Sequence, residues 1–203
     1  DEDTVRAALA QAQAKLLAAR QQRLPPARDE KILSAWNGLM IGAMARTGQY
    51  LGDERCIESA QRALDFMRTH LWHDGRLAVV WKDGQARLTG YLDDYAYLAW
   101  GALELLSVRW RDGDLDFARA LMDSALRHFW DAVGGGFFHT ADDHESLIVR
   151  TRPLADDALP SGNGVAARVL IRLGHLLGDA RYLEGAELTL RAAWTRMREI
   201  PIG

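Results

Sequence analysis

Three stretches of this 203-residue chain open alike, and their spacing limits the possible folds more than its composition does. They are Gly52-Asp53-Glu54-Arg55-Cys56-Ile57, Gly113-Asp114-Leu115-Asp116-Phe117-Ala118 and Gly178-Asp179-Ala180-Arg181-Tyr182-Leu183. Their starts lie 61 and 65 residues apart, a period that signals one supersecondary unit used repeatedly. In each, glycine suits the left-handed position that closes a helix, and the aspartate can accept N–H bonds at the start of the next. Each Gly-Asp therefore predicts the tight turn of a helical hairpin.

The helix after each turn carries apolar residues three or four apart. The stripes are Ile57, Ala60, Leu64, Met67 and Leu71; then Ala118, Leu121, Ala125 and Phe129; then Leu183, Ala186, Leu190, Ala193 and Met197. One stripe with charged residues opposite describes an outer helix with one wet side. The helix before each turn differs: near Trp36 to Arg46, Asp94 to Ser107 and Gly164 to Leu177 the pattern is small or apolar almost all round. These predict an inner layer, with Gly42, Gly101 and Ala166 permitting close helix approach. A further helix is expected over Thr4–Arg20, ended by Pro25-Pro26.

The longer connections join outer helices to the next inner helix. Arg76 to Trp81, an Asp83-Gly84 turn and Ala86 to Tyr91 predict a β-hairpin. Gly136 to Thr140, a polar stretch and Leu147 to Thr151 predict a second. Since all hairpins run the same way, these connections share one end. Three inner-helix starts would then meet around one mouth: Trp36-Asn37-Gly38, Asp93-Asp94-Tyr95 and Ser161-Gly162-Asn163. Unpaired N–H groups and positive helix ends would face a ligand there.

Four motifs in order extend this reading. Asp29 to Ile41 (DEKILSAWNGLMI), Gly90 to Ala96 (GYLDDYA), Gly135 to Phe138 (GGFF) and Asp156 to Asn163 (DDALPSGN) resemble the spermatogenesis-associated, thioredoxin-domain-containing proteins and their bacterial relatives. The resemblance runs from about residue 16 onward. It implies an N-terminal thioredoxin-like domain, absent from this chain, followed by an (α/α)6 toroid similar to six-hairpin glycosidases and N-acylglucosamine 2-epimerases. Three hairpins make about half of that ring. The fold expected is thus all-α, a partial (α/α)6 toroid with short β-hairpins at one end, residues 1–203 being one part of a single domain. A half ring would expose apolar inner-helix surface, so self-association or a further portion of chain is expected to cover it.

Two functions follow as expectations. One is a central cleft for a carbohydrate-like ligand, its reaction undefined. The other is a non-catalytic scaffold that packs against a thioredoxin-like domain and presents a redox partner. For the first, one of Asp93 and Asp94 would cap its helix while the other acts as acid/base or hydroxyl acceptor, with Asp156 or Asp157 as partner, because glycosidic chemistry uses carboxylates in pairs. Trp36, Tyr91, Tyr95 and Trp81 could stack on a sugar ring or fill the core. Asn37, Ser161 and Asn163 are good caps that could also bind hydroxyls, and Arg150 or Arg152 could meet an anionic group or a mouth carboxylate. His139 joins the candidates because epimerases of similar fold use histidine as acid/base.

Other classes are disfavoured. A net charge of −3 gives no general attraction to nucleic acid or anionic membrane, and no apolar run approaches a bilayer span. No phosphate loop, dinucleotide fingerprint or zinc-protease motif occurs, so no cofactor is expected. His139, Asp142, Asp143, His144 and Glu145 occupy a turn and read as a solvated acidic loop, not a metal site. The single cysteine, Cys56, reads as a small buried apolar residue, and a reducing, cytoplasmic compartment fits it.

Overall fold

The computed structural model describes residues 1–199, which divide into two compact units, Asp1–Glu30 and the chain from Lys31. The first is a single helix, α1 (Glu2–Gln21), whose N-cap Asp1 accepts from Asp3 N at 2.7 Å and Thr4 N at 3.2 Å. None of its residues is buried.

The second unit consists of three helical hairpins: α2 (Ser34–Leu51) with α3 (Glu54–His70), α4 (Leu92–Val108) with α5 (Asp112–His128), and α6 (Gly162–Leu177) with α7 (Ala180–Glu199). α2, α4 and α6 form the inner layer. α4 lies between the other two and is buried on nearly every side, from Leu92 through Leu106. Its backbone touches that of α2: a methyl group on Gly38 would lie 2.5 Å from Leu98 N, and one on Gly101 would lie 2.4 Å from Gly38 O. The outer helices bury the expected stripes, with Leu64, Leu71, Leu121 and Phe129 fully enclosed. α7 does so only in part. Leu190 and Trp194 remain 40% and 60% exposed, because the last hairpin has a neighbour on one flank.

Two of the Gly-Asp turns form as expected. Gly52 and Gly178 both sit at φ +65°, and Asp53 and Asp179 accept from Arg55 N and Arg181 N. The middle one does not. α5 begins at Asp112, so Gly113 and Asp114 lie inside its first turn, and Val108 to Asp112 make the bend instead. The reason is ionic: the Asp114 side chain is fully buried and accepts from Arg111 Nε at 2.9 Å and Nη2 at 2.6 Å, with Arg68 Nη1 at 3.4 Å. Cys56 is partly rather than fully buried.

The first predicted hairpin is present as β3 (Arg76–Lys82) and β4 (Gln85–Thr89), turning through Asp83 and Gly84, both at positive φ. Two short strands, β1 (Ile32–Leu33) and β2 (Trp72–His73), pair with the ends of β3 and tie the sheet to the start of α2. The second predicted hairpin does not form. Between its two expected strands a His139 N to Thr151 O bond (2.8 Å) remains; Phe137 bridges to Trp130, outside the hairpin, and Leu147, Ile148 and Val149 stay exposed. The backbone of Phe137 is bonded instead to the Asn163 side chain, so a ladder partner is lost.

Candidate functional site

Asp94 brings the inner helices to a common rim. Its Oδ1 accepts from Ala35 N of α2 and its Oδ2 from Tyr91 N at the head of α4, both at 2.9 Å. α2 lacks a side-chain cap of its own, its N-cap being Leu33, so one buried carboxylate serves two helix starts. Burial pushes the Asp94 carboxyl up to about 7, against the opposing pull of the Tyr91 and Ala35 N–H groups. Both oxygens are therefore committed to the backbone.

Asp93 points elsewhere. Its Oδ1 lies against the start of α6, where a methyl group on Gly162 would overlap it. That oxygen is buried without a hydrogen-bond partner, although 30% of the side chain is open. His139 Nδ1, likewise buried and unpartnered, is 4.0 Å away, beyond hydrogen-bond length. Tyr91 stacks on the His139 ring at 4.9 Å and 6°. Burial raises the Asp93 carboxyl above the usual range, with His139 opposing. Asp93 thus differs from Asp94 in having no hydrogen bond to its buried oxygen while part of its side chain stays open.

A cleft of about 290 Å³ opens beside this pair, lined by Asp93, Tyr97, Pro153, Asp157, Ser161 and Gly162 among others. The Tyr97 hydroxyl donates to Pro160 O and so holds the 153–160 loop against α4. Burial pushes its pKa well above the ordinary tyrosine value, helped by Asp93, Asp156 and Asp94 in that order. Tyr97 was not among the sequence candidates. The signal was its place one helical turn after Asp93, masked by an otherwise apolar run.

Several candidates hold the fold instead. Tyr95 is fully buried and its hydroxyl accepts from Leu77 N at 2.9 Å, so it offers no surface to a ligand. Asn163, also buried, uses its oxygen on Phe137 N and its amide on Phe137 O and Pro153 O. Ser161 caps α6 and donates to Pro153 O, while Asp156 Oδ1 accepts from Ser161 N at 2.7 Å. Arg150 lies over the Phe138 ring and donates to Thr140 O; Arg152 donates to Asp131 and Gly135 O. Neither arginine forms an ion pair with a carboxylate of the cleft. Asn37 donates to Leu33 O, Trp81 packs edge-on to Phe66, and Trp36 stands 62% exposed at the head of α2.

In the acidic turn, Asp142 bonds His128 at 2.9 Å and Asp143 pairs with Arg76. His128, Asp142 and Asp143 have ligand atoms within 4.8 Å of one another, but they already satisfy each other or an arginine. Among the described residues no helix is long and apolar enough to cross a membrane.

No family model matches the chain. Human spermatogenesis-associated protein 20 is 34% identical to it over 213 residues, spanning 100% of this chain and 27% of that protein. The chain thus spans about a quarter of the length of the curated relatives it matches. Among solved structures, the GH76A α-1,6-mannanase of Salegentibacter sp. superposes with a TM-score of 0.64 at 16% identity, over 80% of this chain and 47% of that one. Cellobiose 2-epimerase from Bacillus thermoamylovorans gives 0.66 at 8% identity, over 82% and 45%. At such identities the likeness establishes the fold, about half of an (α/α)6 toroid.

Proposed function

Because this chain is homologous, over its whole length, to a segment of spermatogenesis-associated protein 20 and folds as part of a glycosidase-like toroid, we propose that the cleft at Asp93 binds a carbohydrate-like ligand and that Asp93 exchanges a proton with it. The observation that carries this reading is the contrast between neighbours. Asp94 has both oxygens engaged by N–H groups, whereas Asp93 has no partner for its buried Oδ1 and keeps 30% of its side chain open at the edge of a cleft. A sugar hydroxyl can donate to that open part of the carboxyl group. Burial also raises the Asp93 carboxyl pKa, which favours its return to the protonated form after it gives up a proton. The inactive mannanase variants carry replacements at two consecutive aspartates, a pattern this chain has at Asp93-Asp94, Asp142-Asp143 and Asp156-Asp157, of which the first and last stand at the cleft. His139, stacked on Tyr91, would serve as the second proton carrier, and the open Trp36 ring as a platform for a sugar face.

The test uses the full chain with mannose, cellobiose and an α-1,6-linked mannobiose, followed by thermal shift and ligand-detected NMR. A ligand that binds the native state raises the melting temperature by mass action. At least one sugar should do so, and Asp93→Asn should remove the response while leaving stability intact. If no sugar shifts the melting temperature, or Asp93→Asn responds like the parent, the proposal fails and the scaffold function gains ground.

A further inference from the structure

The charge of the cleft is one-sided. Asp93 and Asp157 line it, Asp156 stands between the lining residues Ala155 and Asp157, and Asp94 follows Asp93 on the helix. Three of these carboxylates, Asp93, Asp156 and Asp94, are close enough to act on the Tyr97 hydroxyl. Among the described residues no lysine or arginine lines the cleft. The two arginines just before it are occupied, Arg150 by Thr140 O and the Phe138 ring and Arg152 by Asp131 and Gly135 O. His139 is the basic group beside Asp93; its Nδ1 is buried 4.0 Å from that carboxyl group, and the ring is not among the residues that line the cleft.

We propose, resting on the carbohydrate reading above, that this cleft accepts uncharged sugars and rejects those carrying a carboxylate or phosphate. A neutral sugar brings hydroxyl donors to the carboxyl groups that line the cleft, the open part of Asp93 and the exposed Asp157. An anionic sugar brings like charge next to the exposed Asp157 and meets no lysine or arginine among the residues that line the cleft. Exclusion by repulsion is an ordinary source of specificity, and here it needs no steric barrier.

The experiment pairs probes that differ at one carbon: D-mannose with D-mannuronate, and cellobiose with its uronic acid, each titrated into the full chain near neutral pH and low salt. The neutral member should bind at least about tenfold more tightly, equivalent to about 1.4 kcal/mol. That gap should shrink between about 20 mM and about 500 mM salt, as screening shortens the reach of the carboxylates. It should also shrink in Asp157→Asn, at an exposed position where a fold defect is not expected. Equal or tighter binding of the uronate overturns the charge rule and leaves carbohydrate binding standing. A gap indifferent to both salt and Asp157→Asn overturns it too, because shape would then be the cause. Failure of every probe to bind removes the carbohydrate reading and this inference together.

Discussion

Replacing Asp94 by asparagine should destabilise the protein strongly, whereas the same change at Asp93 should not. The substituted amide would keep one acceptor oxygen and turn its N–H₂ toward the other N–H donor, so either Ala35 N or Tyr91 N loses its partner. A buried donor left unsatisfied costs about 1–3 kcal/mol. That lost bond is also the loss of a helix cap, for which about 1 kcal/mol is typical, so about 1–3 kcal/mol covers both. With a urea m-value of about 2 kcal/mol/M the unfolding midpoint should fall by about 0.5–1.5 M. Asp93→Asn removes a desolvated acid whose Oδ1 has no partner, so its stability should stay within about 0.5 kcal/mol of the parent or rise. Equilibrium urea unfolding at about pH 8, above the Asp94 value of about 7, followed by tryptophan fluorescence and far-UV circular dichroism, measures both. Equal midpoints for Asp94→Asn and the parent would refute the idea that this carboxylate joins α2 to α4, and with it the division of labour between the two aspartates.

Gly38→Ala and Gly101→Ala should each cost at least about 1–3 kcal/mol, since the new methyl meets backbone atoms that cannot step aside; an unchanged melting temperature would contradict the α2–α4 contact. Tyr97→Phe should lose about 0.5–1.5 kcal/mol and loosen the 153–160 loop, read as faster amide exchange or proteolysis there with the hairpins unaffected. Stability should also fall as pH rises from about 4.5 to 8. The raised carboxyls of Asp93 and Asp94 favour the folded state while protonated, and that contribution is lost as pH climbs from the unfolded value of 3.8 through about 7 for Asp94. Asp131 and Asp143, held below the usual range by Gly134 N–H and by Arg76, act in the opposite sense but only toward pH 4 and below. A urea midpoint that climbs across the upper window, or a slope that persists in Asp94→Asn undiminished, would tell against this assignment.

The hairpin order, the inner and outer layers and the first β-hairpin were legible in the residues because each is a local matter. A left-handed glycine followed by a capping aspartate, a 3–4 apolar period or an Asp-Gly turn needs no distant partner to be favourable. Where a distant partner competes, the local pattern misled. Gly113-Asp114 has the same dipeptide as its two counterparts, yet Arg68 and Arg111 draw Asp114 inside and the bend moves to Val108–Asp112. The stretch from Gly136 to Thr151 alternates like a hairpin, but Asn163, from the next helix, takes the backbone groups of Phe137.

The site followed the same division. Helix-start residues rich in Asp, Asn and Ser announced a polar rim, because those side chains satisfy orphan N–H groups wherever an inner helix begins. Which of them would be spent on that task was not a property of the sequence. Asp93 and Asp94 are chemically identical neighbours, and a rotation of about 100° between successive helical residues sends one to Ala35 N of α2 and Tyr91 N at the head of α4, and the other to the cleft beside α6. Only the packing of three helices around α4 supplies donors to one oxygen pair and withholds them from the other.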